Sequence, residues 1–237
     1  MTGDARTEEL RVNLSALTKR IDAAVAAAGR TPGDVRLLPV TKFHPAEDVA
    51  RLATLGVTDV GENREQEARE KAAAVPQVRF HMIGQIQTKK ANAVARWAAG
   101  VQSLDSVRLA EALDRGMALA LERGDRSSAL LPCHLQLSAD GDTARGGVGE
   151  KDLAELAAAV EAAGHLHLTG LMVVPPLGSS AAEVFSWARK LCDDLAQRYG
   201  RPMDLSAGMS ADLEEAIIAG TNMVRVGTGV LGKRPVA

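Results

Sequence analysis

Eight short apolar runs alternate with longer amphipathic segments along this 237-residue chain, and that alternation constrains its fold more than any other feature. The runs fall at 35–40, 57–60, 78–83, 101–104, 131–137, 166–173, 203–205 and 223–226. Helical patterns lie between them at 46–55, 64–74, 88–97, 107–122, 151–163, 180–199 and 211–219. Polar or glycine-bearing turns make each link short. Such links between strand and helix imply parallel strands with right-handed crossovers. An open doubly wound sheet is the alternative, but eight units in this length fit a closed (β/α)8 TIM barrel of the α/β class. An extra helix precedes the first run over 7–28, where Leu10, Leu14, Leu17, Ile21 and Val25 recur at steps of three and four and Gly29 supplies a stop. No composition shift or Pro/Ser-rich linker interrupts the pattern, so residues 1–237 are expected to form one domain.

Charge and cysteine content narrow the partners. The formal net charge is −2, too balanced for a nucleic-acid or membrane surface, and the charged residues lie interspersed on helix faces. Cys133 and Cys192 read as small core residues, with no metal-binding spacing. No apolar stretch is long enough to span a bilayer and the first residues have no signal-peptide core, so a cytoplasmic protein is expected.

In a barrel the working face lies at the C-terminal ends of the strands. Thr41-Lys42 follows the first run, Gly61-Glu62-Asn63 the second, Ser206 to Ser210 the seventh and Arg225 to Gly229 the eighth. A lysine partly desolvated at a strand end loses some preference for its charged form, and its neutral amine attacks aldehydes. Lys42 also fits an ordinary lysine reaching to solvent. Gly208-Met209-Ser210 before a helix and Gly227-Thr228-Gly229 after the last strand offer small residues, hydroxyls and free N–H groups, the ingredients of a phosphate cradle. Each would also serve as a routine cap or turn.

Arg225 points inward if Val224 and Val226 face the helices. It then pairs with a core carboxylate or stands at the nitrogen of a pyridine ring, keeping that nitrogen unprotonated. His81 reads either as a satisfied core histidine or as part of the site. His44 reads as a turn residue, and His165 and His167 alternate on one strand without a metal-ligand cluster. The glycine-rich loop 138–149 is a candidate mobile element over the site.

Seven spaced motifs then add up: Val40-Thr41-Lys42, Gly61-Glu62-Asn63, Phe80-His81-Met82-Ile83-Gly84, Gln87-Thr88-Lys89, Gly170-Leu171-Met172, Leu205-Ser206-Ala207-Gly208-Met209-Ser210 and Val224-Arg225-Val226-Gly227-Thr228. In this order, from about residue 37 to 232, the chain resembles the pyridoxal phosphate homeostasis proteins, relatives of the N-terminal barrel of alanine racemase. The resemblance implies a fold-type III barrel carrying pyridoxal 5'-phosphate as an internal aldimine on Lys42. It places Asn63 near the cofactor ring, Met172 and Ser206 along the site, Arg225 at the pyridine nitrogen, and Ser210, Gly227 and Thr228 at the phosphate. His81 joins this set of cofactor contacts. The implied role is a carrier or regulator in vitamin B6 homeostasis, with pyridoxal 5'-phosphate as ligand and apo forms of pyridoxal phosphate-dependent enzymes as recipients.

Two departures stand out. Phe43-His44 follows Lys42 where the family has a small or basic residue, and Leu137-Ser138 with Arg145-Gly146-Gly147 replaces the family's asparagine and lysine before a glycine. The alternative function is an amino-acid racemase or another fold-type III enzyme. A racemase needs a base on each face of its substrate. In alanine racemases the second is a tyrosine from an added domain of the partner subunit. The one tyrosine here, Tyr199, ends a helix expected on the barrel's outside, and the chain stops soon after the last strand motif. A non-catalytic monomer is therefore the expectation.

Overall fold

A computed structural model describes residues 4–142 and 146–233. Its strands are β1 (Arg36–Pro39), β2 (Asp59–Glu62), β3 (Arg79–Met82), β4 (Gly100–Leu104), β5 (Leu131–Gln136), β6 (Leu166–Met172), β7 (Asp204–Ser206) and β8 (Met223–Val226). All pair in parallel in the order β1-β8-β7-β6-β5-β4-β3-β2. A single bridge, Val40 to Gly61, joins the two ends and closes the (β/α)8 barrel.

That seam is narrow for a reason written in the sequence. The N–H groups of Arg36 and Val40 point to β8, donating to Asn222 O and Val226 O at 2.9 Å each. Alternation therefore turns the N–H groups of odd-numbered residues toward β2, and Thr41 duly donates to Gly61 O at 3.0 Å. Pro39, the odd position just before Thr41, has no N–H to give. Hydrogen bonding between β1 and β2 is thus confined to the C-terminal rim.

The helices are α1 (Ala5–Ala27), α2 (Ala46–Thr54), α3 (Glu65–Ala74), α4 (Ala91–Trp97), α5 (Val107–Glu122), α6 (Glu150–Ala162), α7 (Ala181–Tyr199), α8 (Leu213–Ile218) and α9 (Thr228–Leu231). Among the described residues only the four-residue α9 follows β8, too little to cover it. Helix α1 supplies the missing cover. Its Leu10, Leu17, Ile21 and Val25 bury against Val224, Val226, Leu213, Ile217 and Leu231, between α8 and α2. The extra N-terminal helix is thus the eighth outer helix of the ring, contributed from the other end of the chain. Arg6 fixes its start, forking onto Asp48 of α2 at 2.7 Å and donating to Leu231 O at 2.9 Å.

Two expected helices come out shorter. Segment 88–97 begins as a 3-10 turn, Thr88–Lys90, and 211–219 contracts to α8. Helix α9 was not legible, because two glycines around Thr228 disfavour helix. In loop 138–149, Ser138 donates to Val148 O at 3.0 Å and Val148 to Gln136 O at 2.8 Å, tying both ends to β5. Residues 143–145, including the Arg145 singled out above, lie outside the described residues. No described helix is long and apolar enough to cross a membrane.

Candidate functional site

The C-terminal mouth of the barrel holds a cavity of about 490 Å³. Lys42, Asn63, Met172, Ser210, Arg225, Gly227 and Thr228 all line it, so seven of the nine expected contacts converge. They come from the ends of β1, β2, β6, β7 and β8, the positions a parallel barrel gathers on one face.

Lys42 sits in a tight turn in which His44 donates to Thr41 O at 3.1 Å. Phe43, the third residue of that turn, has φ +68°, a left-handed conformation that a phenylalanine adopts only under constraint. The constraint is visible. Phe43 N–H donates to Glu67 Oε1 at 2.7 Å, and the Arg64 guanidinium covers the Phe43 ring at 5.0 Å. Glu67 belongs to a buried network beneath the turn. Lys71 Nζ donates to Glu67 Oε1 and Glu62 Oε1 at 2.6 Å each, and to Thr41 O at 2.8 Å. Thr41 Oγ1 adds a bond to Glu62 Oε1 at 2.6 Å. Burial raises the Glu62 carboxyl above its ordinary range, against the pull of Lys71. These contacts anchor the backbone on both sides of Lys42, while its side chain lines the cavity.

Arg225 is buried and inward, as the alternation required. No carboxylate pairs with it among the described residues. It donates instead to Ser206 Oγ at 2.7 Å and to Val173 O at 2.9 Å. Burial lowers it to about 10, which leaves it a cation at neutral pH. Ser206 does not line the cavity. Its hydroxyl donates to Gln102 Oε1 at 2.7 Å and accepts from Arg225, so it orients the guanidinium from behind.

His81 is a correction. It lies on β3 as expected, yet its side chain faces the opposite, N-terminal mouth, where Nε2 meets Asp59 Oδ1 at 2.7 Å. A place on β3 does not tell at which height in the barrel the side chain opens. His44, read as a turn residue, is buried with Nδ1 3.7 Å from Asp48 Oδ2. Among the described residues no cluster of metal-ligand type occurs.

Three features suit this cavity to a phosphorylated pyridine aldehyde. Asn63 Oδ1 is buried without a hydrogen-bond partner, an acceptor waiting for a donor. Gly227 puts no side chain into the cavity, and with Ser210 and Thr228 it offers hydroxyl and backbone donors. Arg225 contributes a fixed cation, and Lys42 an amine.

The profile of the family described as alanine racemase, N-terminal domain, matches residues 12–235. A pyridoxal phosphate homeostasis protein of Corynebacterium glutamicum is 56% identical over 92% of this chain and 99% of its own. The structure of PipY from Synechococcus elongatus, solved with pyridoxal phosphate bound, superposes with TM-score 0.75 at 32% identity, covering 90% of this chain and 100% of that one. Alanine racemase of C. glutamicum shares the fold at TM-score 0.69 and 17% identity, over 98% of this chain and 62% of that one.

Proposed function

Because the chain belongs to the pyridoxal phosphate homeostasis proteins, built on the alanine racemase N-terminal barrel, we propose that it binds pyridoxal 5'-phosphate in the C-terminal cavity and carries it for vitamin B6 homeostasis. The convergence of Lys42, the Arg225 cation and the Ser210–Thr228 cradle in one cavity carries this reading. Lys42 would hold the cofactor through its Nζ, the amine among the cavity's described residues. Ser210, Gly227 and Thr228 would hold the phosphate, and Asn63 with Met172 would flank the ring. Arg225, locked by Ser206 and Val173 O, would present positive charge to the pyridine nitrogen. When bound, the cofactor supplies an electrophilic carbon and an electron sink. A cation at the ring nitrogen weakens that sink, which favours holding over turnover.

The second reading is a racemase of the same fold. It needs a proton acceptor on each face of the ring. Among the described residues lining the cavity, Lys42 is the one amine, and none is a tyrosine, histidine or carboxylate. Tyr199 lies at the end of α7 on the outside of the barrel, flanked by Arg198 and Arg201 at 5.7 Å. This favours the carrier. Loaded protein incubated with L-alanine or D-alanine in heavy water tests the choice by proton NMR. The carrier reading expects no Cα exchange above the rate of free cofactor; sustained exchange with racemisation establishes the enzyme. Delivery to apoenzymes, a monomeric state, a single domain and a cytoplasmic location belong to the same proposal.

A further inference from the structure

The residue that did not join the cofactor site leads to a second one. At the N-terminal mouth, cavities of about 300 and 500 Å³ share Arg36, Asp59, Arg79, His81 and Met223. The smaller also reaches His134, Thr169, Gln102 and Asp204. Volumes of this size are those of small-molecule sites. The opening is built into the backbone: Gly100 makes room for His81, since a Cβ there would stand 2.6 Å from Nδ1. A register shift between β5 and β6 sets Cys133 against Leu168 but His134 against Gly170. The extra residue, Thr169, thereby turns toward His134. Gly170 is required at the shift, with φ +155° and a Cβ position 1.9 Å from Asp204 O.

Thr169 fixes the tautomer of His134. Its hydroxyl lies 3.0 Å from Cys133 O and 3.0 Å from His134 Nδ1. Having one proton, it gives that proton to the carbonyl, so Nδ1–H is the donor of the second bond. Nε2 is left a bare acceptor. It is buried on a side chain 6% exposed and has no partner. A buried acceptor without a donor is costly, and a ligand bearing one would satisfy it. At the outer rim Arg36 pairs with Asp204 at 2.5 Å and Arg79 with Asp59 at 2.6 Å. Nε and Nη1 of Arg36 and Nη1 of Arg79 keep no hydrogen-bond partner among the described residues. Two guanidiniums offset by two carboxylates suit a monoanion or zwitterion better than a dianionic phosphate.

We propose that the N-terminal mouth is a second ligand site, for a small carboxylate carrying its own hydroxyl or amino donor, which meets His134 Nε2 while the carboxylate meets Arg36 and Arg79. The site is independent of Lys42 and stands whether or not the C-terminal cavity carries a cofactor. The probe is L-lactate, a hydroxyacid that cannot condense with an aldehyde at Lys42 as an amine would. Cofactor-loaded protein labelled with ¹⁵N-histidine is titrated while the His134 Nε2 resonance is followed in long-range ¹H–¹⁵N spectra. L-lactate should shift Nε2 saturably toward the hydrogen-bonded range. Propionate, which lacks the hydroxyl, should bind about tenfold more weakly. Arg36→Met, at the exposed rim, should weaken L-lactate by a similar factor and leave the visible spectrum unchanged. The absence of a saturable shift means that His134 holds only water and overturns the proposal. Equal affinities for L-lactate and propionate, or an Arg36→Met variant that binds as wild type, overturn it equally.

Discussion

Lys71 shows how much one side chain controls at the residue scale. It is buried and ties Thr41 O, Glu62 and Glu67 into one node below Lys42. Lys71→Met leaves the Glu62 carboxylate buried and unpaired, so urea unfolding should show a loss of about 3–5 kcal/mol. Amide exchange at Phe43 should accelerate in the same variant, because Glu67 loses its own anchor. The sequence held a faint trace of this node in the i, i+4 spacing of Glu67 and Lys71 on α3. That spacing also describes a solvated pair, and no pattern within one helix shows that a lysine reaches under a neighbouring strand. His134 was equally hidden, because its environment comes from a register shift between two strands. Burial pushes it down to about 3, with His81, Arg36 and Arg225 adding to the effect. Between about 3 and its ordinary 6.5 the unfolded chain takes up a proton that the folded chain refuses. Stability therefore falls as pH drops through that window, by about 1.4 kcal/mol per pH unit. Urea midpoints at pH 6.5 and pH 5 should show wild type losing about 2 kcal/mol more than His134→Gln.

Among the elements, the β1–β2 seam is the weak joint of the barrel. One bridge and Thr41 N–H close it where the other strand pairs share longer ladders, apart from the brief β7–β8 contact. Native-state hydrogen exchange should find Thr41 less protected than Leu135 or Leu171, which sit in the long β5–β6 pair. Uniform protection around the barrel would contradict this. Pro39 stood in the sequence as a strand residue without an N–H, but its meaning needed the neighbour it faces. Strand and helix positions were otherwise legible to within a residue or two at most boundaries, since period-2 and period-3.6 patterns arise from burial on one face. What failed was local: a 3-10 start before α4 and a glycine-flanked α9, where hydrogen-bond geometry decides and apolar spacing says little.

Over the whole molecule, the barrel holds two polar mouths, and Gln102, bonded to Ser206 and through it to Arg225, lies between them. The C-terminal one was legible because parallel strands deliver their following residues to one face. Lys42, Ser210, Arg225, Gly227 and Thr228 therefore announced themselves by position as well as by type. Ser206 was expected along the cavity but stands behind it, supporting Arg225. The N-terminal mouth was not legible, because its lining comes from strand starts that no loop motif marks. Helix α1 completes the ring from the other end of the chain, which makes one continuous wall around both mouths. The central claim is that Lys42 holds the cofactor. Borohydride reduction of protein incubated with pyridoxal 5'-phosphate, followed by peptide mass spectrometry, tests it most directly. One phosphopyridoxyl group per chain is expected, on Lys42, and none on a Lys42→Ala variant. Stoichiometric labelling of another lysine, or an unchanged absorption band in Lys42→Ala, would contradict it.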